Sequence, residues 1–486
     1  MKKYLSILVV AILLLGCSSK EVTPTVSSCT FDTNLMMDDE ITTYKKLVDE
    51  TFEIRKKGIA YAKFLKTKSP LDGKDMETIR SFTLEHEALR GRFYYYIEKY
   101  RCLDHDNVVT NLSKKDELKA SMMALSSALI LYDNYLLGTS LYVNDTRLRR
   151  VLNSEDKGYN IEDRTLEKVT NNYFSKYNHH ETNRAIKFYK KVLSKNKDTN
   201  DDNIVYLKKL VDESPTYQQH TAFGGHFWFE LSMAKNRLTD RIKTAQKSAY
   251  TFVTEKLFGG DDDSEVDESW EKGKKEGKLY GNNKTLKHIK ETLRAGDIFL
   301  EKTPFRVTDS VIPGYWGHAA VYVGTEKELK ALGIWEHPVV QQYHKEIKSK
   351  KMIVEALRVG VQINSVKEFL NVDSFASLRV KKETKKQRAK RLIRTFRQLG
   401  KGYDFNFDIE TSNRIMCSEL VYITVTSVDW KTDTLLGVYT ISPDHVALQS
   451  VLEGNKFKII TLILDTKIIS DNKKALMESV LNKEKL

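Results

Sequence analysis

Two hydrophobic patterns divide the chain. From about Asp38 to Gly259, apolar residues recur at steps of three and four, which is the period of an amphipathic helix. Five or six such helices with short connections predict a helical bundle. The clearest stripe consists of Leu118, Met122, Leu125, Leu129, Tyr132 and Leu136, and similar stripes cover Leu47–Leu65, Ile79–Tyr100, Leu166–Leu193 and Phe227–Leu257.

From Leu293 onward, short apolar runs replace the helical stripes, and they are typical of buried strands. A basic amphipathic segment at Thr384–Leu399 and an apolar segment at Met416–Val428 predict two helices among these strands. The fold class is therefore multidomain, with an α domain followed by an α+β domain. The predicted strands contain Asp297–Leu300, Ala319–Val323, Met352–Val354, Phe375–Val380 and Phe457–Leu464.

Changes of composition set the predicted boundaries. An acidic and then Lys- and Gly-rich stretch without apolar periodicity separates the two domains and reads as a linker. The Lys-rich C-terminus reads as a surface helix. The predicted segments are a signal peptide at 1–17, a flexible tether at 18–33, a helical domain at 34–259, the linker at 260–284, the α+β domain at 285–466 and the surface helix at 467–486.

The N-terminus has the pattern of an export signal. Lys2 and Lys3 precede an apolar run from Leu5 to Leu15 that suits a secretory signal and is too short for an ordinary membrane span. The following L-L-G-C resembles a bacterial lipobox, which implies cleavage before Cys17 and lipidation of its sulfur. The alternative is a plain secretory signal with an incidental cysteine. The lipobox implies a lipid-anchored protein of the bacterial cell envelope.

Ser18 after the lipobox cysteine fits the outer membrane in a cell with two membranes. The 486 residues are 41% hydrophobic and 30% charged, which excludes a polytopic membrane protein, a collagen-like fibre and a wholly disordered chain. The net charge of +13 would suit an anionic membrane, an anionic polymer or nucleic acid, and export removes nucleic acid from the expected partners.

The chain has four cysteines, too few for a disulfide-built scaffold. Export permits a bond between Cys29 and Cys102, and the alternative is that Cys29 lies unpaired in the tether. With or without that bond, Cys417 is left as a lone thiol in an exported protein.

Three residues of the second domain fit nucleophilic catalysis. Cys417 stands at the predicted start of a helix, whose free N–H groups and dipole favour a thiolate. His318 begins a predicted strand and supplies a base, while Glu355 follows another and supplies an orienting carboxylate. The backbone N–H of Cys417 would donate to a developing oxyanion. Taken singly, a buried core cysteine, a histidine bonded to a carbonyl and a surface glutamate explain the same residues.

The order of motifs adds a family resemblance. G-D-I at 296–298, G-H-A-A-V-Y-V-G at 317–324, V-E-A at 354–356, Y-D-F at 403–405 and C-S-E-L-V at 417–421 follow one another. Together they resemble the permuted papain-like enzymes, in the YiiX/YebB-like branch of the NlpC-type superfamily, in which the histidine strand precedes the cysteine helix. The resemblance implies that Cys417 is the nucleophile, His318 the general base, Glu355 the third polar member and Tyr403 an oxyanion-binding or substrate-binding residue.

The resemblance leaves the substrate open. C-S-E-L departs from the D-C-S-G-L of peptidoglycan-cleaving NlpC-type enzymes, and the permuted group also includes lipid acyltransferases. We therefore expect an anchored cysteine hydrolase that cleaves an amide or ester of a peptide, a wall peptide or a lipid acyl group, without a metal or organic cofactor. The alternative is a non-catalytic envelope lipoprotein that binds wall, lipid or protein. The helical domain is the expected site for a protein partner.

Overall fold

The structure is a computed structural model, and it describes residues 29–32, 35–104, 108–142, 145–195, 200–219, 276–303, 314–435 and 438–483. The predicted signal peptide with Cys17, the Phe227–Leu257 stripe and most of the predicted linker lie outside the described residues.

The first described region is helical. Its core contains Ile41, Tyr44, Phe93, Met122 and Leu207. The predicted stripe at Leu166–Leu193 forms two helices, because Phe174 and Ser175 interrupt it. The helices are α1 (Met37–Leu65), α2 (Gly73–Tyr100), α3 (Lys114–Tyr142), α4 (Thr146–Asn153), α5 (Thr165–Tyr173), α6 (Lys176–Lys195), α7 (Asp202–Asp212) and α8 (Pro215–Gln219).

A disulfide joins Cys29 to Cys102, with their Cα atoms 5.8 Å apart. The bond ties the segment before α1 to the short 3-10 turn that follows α2. Cys417, in contrast, is a free and buried thiol. Within the described ranges, no helix is both long enough and apolar enough to span a bilayer.

The second region begins with α9 (Asn283–Thr292) and contains strands and helices in alternation. Its strands are β1 (Ile298–Lys302), β2 (His318–Tyr322), β3 (Lys351–Leu357), β4 (Gly360–Ser365), β5 (Ser374–Val380), β6 (Gly402–Tyr403), β7 (Arg414–Ile415), β8 (Asp433–Leu435), β9 (Val438–Thr440), β10 (Phe457–Leu464) and β11 (Lys467–Ile468). Its further helices are α10 (Glu326–Leu332), α11 (Pro338–Gln341), α12 (His344–Lys348), α13 (Val366–Phe369), α14 (Lys385–Phe396), α15 (Cys417–Thr424), α16 (Pro443–Leu448) and α17 (Lys473–Lys483).

Seven of these strands form one antiparallel sheet in the order β11-β10-β5-β1-β2-β3-β4. Residues alternate between its two faces. On one face Leu300 and Val321 belong to a core that includes Leu392 of α14 and Leu420 of α15. On the other, Phe299 packs in a smaller core with Ile289 of α9. The fold class is confirmed, as a helical region followed by an α+β domain built on an antiparallel sheet.

The C-terminal helix α17 has a largely exposed surface and one buried edge. Met477 and Leu481 belong to the main core of the second domain, and the Trp316 indole N–H donates to the Met477 sulfur at 3.3 Å. Because Trp316 lies two residues before His318, where the strand begins, α17 supports the start of that strand.

Candidate active site

The nucleophile candidate stands at the first turn of a buried helix. Cys417 is the first residue of α15, Met416 before it is extended, and all eight residues of the helix are buried. The Glu419 carboxylate accepts from the Met416 N–H at 3.2 Å and so fixes the chain entering the helix. The Ser418 hydroxyl donates to the Ile441 carbonyl at 2.6 Å and anchors the same turn. The N–H groups at this end of the helix favour negative charge on the sulfur.

The histidine lies at the start of a central strand. His318 begins β2, and the Gly317 N–H just before it donates to the Glu301 carbonyl at 3.0 Å. Helix α15 packs directly against β2. This packing brings the His318 ring and the Cys417 sulfur close enough for each to shift the pKa of the other.

The carboxylate comes from the neighbouring strand. Ala320 of β2 pairs with Glu355 of β3, and the alternation along β2 places His318 on the same face as this pair. Glu355 Oε2 lies 2.9 Å from His318 Nε2. Glu355 therefore occupies Nε2 and leaves the other ring nitrogen, Nδ1, for proton exchange with Cys417.

A fourth group enters the site from a short parallel pair of strands. Tyr403 of β6 pairs with Ile415 of β7, which lies two residues before Cys417. Burial, together with the nearby Cys417 sulfur, holds the pKa of the Tyr403 hydroxyl well above its usual range. Tyr403 is therefore a protonated hydrogen-bond donor near the sulfur. The structure thus brings together the four residues that the sequence selected, and each has at most 9% of its surface exposed.

The negative charge of Cys417 and the positive charge of His318 stabilise each other. Burial alone would raise the pKa of the Cys417 thiol, but His318 and the backbone N–H groups of Ala319 and Ser418 lower it. Burial alone would lower the pKa of His318, but Cys417 and Glu355 raise it to about 10. These opposite shifts favour a thiolate–imidazolium pair, which is a nucleophile and a proton donor ready for acyl transfer.

Sequence reasoning missed one residue of the site. Asn364 of β4 donates its side-chain N–H to Glu355 Oε1 at 2.9 Å, which leaves Oε2 for His318. The available signal was the alternation of Val361 and Ile363 with polar residues, which is the pattern of a half-buried strand.

Among the residues that the structure describes, no group of three or more His, Cys, Asp or Glu side chains is arranged to hold a metal ion. Cys17, the expected lipidation site, lies outside those residues.

A helix that starts at a cysteine and packs on an antiparallel sheet carrying a histidine is the arrangement of papain-like cysteine hydrolases. The histidine strand here comes first in the chain, which is the permuted order. Residues 292–483 match the family of permuted papain-like amidase enzymes described as YaeF/YiiX, C92, and this domain belongs to that family. The matched domain is therefore that of a cysteine hydrolase, in a family described as amidases. No curated protein and no solved structure matches the chain.

Proposed function

We propose that the protein is an envelope amidase in which Cys417 is the nucleophile, His318 the general acid and base, and Glu355 the orienting carboxylate. The observation that carries the proposal is the 2.9 Å contact between Glu355 and His318, beside a Cys417 thiol whose pKa His318 lowers. A nucleophile, a base and an orienter in one chain of contacts are the requirements of covalent acyl transfer.

The reaction proceeds in two steps. The Cys417 thiolate attacks the carbonyl carbon, and the carbonyl oxygen takes the negative charge of the tetrahedral intermediate. The backbone N–H of Cys417 and the hydroxyl of Tyr403 donate to that oxygen. Imidazolium His318 then gives its proton to the leaving amine as the C–N bond breaks, which leaves a thioester on Cys417. Neutral His318 next takes a proton from water, hydroxide attacks the thioester, and the carboxylic product leaves as the thiolate forms again.

The substrate is an amide or ester of the envelope, and the chemistry of the triad suits peptides, wall peptides and lipid acyl groups alike. The test uses the full chain and a Cys417→Ala variant, each incubated with pooled wall peptides and membrane lipids and read by mass spectrometry. We expect products that require Cys417, and their pool of origin names the substrate. Equal products from Cys417→Ala, or none from either pool, would favour the non-catalytic binding lipoprotein.

We further propose that a lipid on Cys17 holds the enzyme at the membrane. The support is the L-L-G-C motif behind a short apolar run. Two or more acyl chains give stable anchoring, whereas a single chain gives marginal binding. Metabolic labelling with a palmitate analogue is expected to mark the parent protein and to leave Cys17→Ala unlabelled and out of the membrane fraction. Labelling of Cys17→Ala would contradict this anchor.

A further inference from the structure

The segment 401–415 connects α14 to the nucleophile helix and carries Tyr403. It is organised by inward-facing carboxylates. Asp404 accepts from the Asn406 N–H at 3.0 Å and from the Asp408 N–H at 2.8 Å, and Asp408 accepts from the Glu410 N–H at 3.1 Å. All three acidic side chains are buried. Buried carboxylates need facing cations or hydrogen-bond donors, since their desolvation is costly.

Cations from the helical domain face two of these acids. Arg150 Nη2 lies 3.3 Å from Asp408 Oδ2 and 3.7 Å from Glu410 Oε2. Arg147 Nη1 lies 3.6 Å from Glu410 Oε1, and the Leu71 N–H donates to the same oxygen at 3.0 Å. Residues of the helical domain thereby contact the segment that leads to the nucleophile.

A second contact reaches the residues next to Tyr403. Lys401 Nζ lies 3.1 Å from Asp156 Oδ1, and Asp156 Oδ2 lies 3.3 Å from Arg80 Nε. All three side chains are buried. The Lys401 carbonyl accepts from the Val361 N–H at 2.8 Å, so Lys401 is held at both its side chain and its backbone. Gly402 and Tyr403 follow it directly.

The nucleophile helix itself rests on the same domain. The Tyr422 hydroxyl donates to the Leu71 carbonyl at 2.9 Å. Gly73, the first residue of α2, is packed against the backbone of Ile423, so that an added Cβ would overlap the Ile423 carbonyl. The helical domain thus contacts both the Tyr403 segment and the Cys417 helix.

We propose that the helical domain is a positioning element of the active site, in which Arg150 and Asp156 hold the segment 401–415 and thereby place Tyr403 beside Cys417. This inference rests on the proposed function for its catalytic consequence. Its structural part, the order of the segment, is independent of that function. Arg150 and Asp156 are positioning residues, because they act through Asp408, Glu410 and Lys401.

Hydrogen–deuterium exchange of the full chain tests the structural part. Arg150→Gln removes the cation from Asp408 and Glu410 and is expected to speed exchange in peptides covering 401–416, with β1 and β2 unchanged. Arg150→Lys keeps the charge and is expected to restore much of the protection. Unchanged exchange at 401–416 in Arg150→Gln would overturn the proposal. Asp156→Asn is the second variant, and Arg150, being partly exposed, remains testable where Asp156→Asn fails to fold.

Glu77→Gln is the matched control. Glu77 also makes a contact between the domains, but it pairs with Arg394 of α14 at 3.0 Å and does not touch 401–415. We expect exchange at 401–416 in Glu77→Gln to equal that of the parent. If Glu77→Gln speeds exchange there as much as Arg150→Gln does, general separation of the domains is the cause and the specific positioning role is wrong.

Hydrolysis of p-nitrophenyl acetate tests the catalytic part. Displacement of an oxyanion donor lowers kcat, so Arg150→Gln is expected to lower kcat by roughly tenfold or more with KM nearly unchanged. Equal kcat in Arg150→Gln and the parent would overturn the positioning role. A parent that shows no Cys417-dependent hydrolysis would instead count against the proposed function, while the exchange measurement still decides whether the helical domain orders the segment.

Discussion

Glu355 Oε2 and His318 Nε2 lie 2.9 Å apart on neighbouring strands of the central sheet. The sheet itself fixes this distance, because β2 and β3 are paired through Ala320 and Glu355. Asn364 on the next strand takes the other carboxylate oxygen at 2.9 Å. The orientation of the His318 ring is therefore set by three adjacent strands and not by a loop, which is the rigid support that a general base requires.

Replacement of the carboxylate tests that support. Glu355→Gln keeps the size of the side chain but removes the charge that stabilises imidazolium His318. We expect kcat/KM to fall by about tenfold or more, because the ring loses both its fixed orientation and its counter-charge. Hydrolysis of p-nitrophenyl acetate provides the measurement. Glu326→Gln on α10, where Glu326 pairs with Lys330 at 2.6 Å, is a control that should retain the parental rate.

The pH dependence of Cys417 alkylation tests the ion pair. Because the pKa of Cys417 is lowered, its thiolate persists at pH values where an ordinary thiol is protonated. Iodoacetamide should therefore react quickly at neutral pH, and His318→Ala should move the midpoint of the rate profile to higher pH. A midpoint that His318→Ala leaves in place would contradict the pairing.

The rate of hydrolysis should fall at high pH. The imidazolium of His318 donates the proton to the leaving group, and its pKa is raised to about 10. The rate is expected to fall as the pH rises through that value, since the proton donor is then lost. The lowered pKa of Cys417 and the raised pKa of His318 belong to the coupled pair and not to either residue alone. A hydrolysis rate that keeps rising as the pH exceeds the pKa of His318 would argue against His318 as the acid.

Two glycines of the same helix make a matched test of the domain contact. Gly73→Ala places a methyl group against the Ile423 backbone and is expected to cost about 1–3 kcal/mol of folding stability. Gly91→Ala meets no atom within 4 Å, and the higher helix propensity of alanine should stabilise the protein by up to about 1 kcal/mol. Calorimetry of the full chain compares the two. Equal effects would mean that the Gly73 contact does not restrain the nucleophile helix.

The disulfide gives a further stability prediction. It closes a loop over a sequence separation of 73 residues. Its removal therefore increases the conformational entropy of the unfolded helical domain. Cys29→Ser combined with Cys102→Ser is expected to lower the unfolding free energy by about 2–5 kcal/mol. Denaturant unfolding followed by circular dichroism provides the value. Cys417→Ala is the control for loss of a thiol outside the disulfide, and the double variant should fall well below it.

The sequence predicted the fold well where a pattern repeats locally. The strand at Phe457–Leu464 matches its apolar run, and the first helix ends at Leu65, where the predicted stripe also ends. Strand β4 escaped prediction because Gln362 and Asn364 make it half polar. Its polar residue Asn364 is the one that holds Glu355, so the missed strand and the missed site residue have one cause.

Part of the active site was predicted from the positions of single residues and from motifs, and not from a repeating pattern. Cys417 and His318 stand at the starts of elements, where backbone groups and side chains are exposed to each other, and the family motifs supplied their pairing. The contact between Asp156 and Lys401 had no such signal. The two residues are far apart in the chain, and neither belongs to a periodic pattern or to a motif. A buried ion pair between domains depends on docking geometry, which a single sequence does not encode locally.

The contact between Trp316 and Met477 has a consequence for biosynthesis. The ribosome makes the chain from its N-terminus, so the helical domain and the strand of His318 exist before Cys417, and Met477 follows about 60 residues after Cys417. Trp316 therefore gains the hydrogen bond to Met477 only after α17 has been made. The start of the His318 strand therefore gains its support only after α17 has been made, and a nascent chain stalled before α17 carries Cys417, His318 and Glu355 without that support.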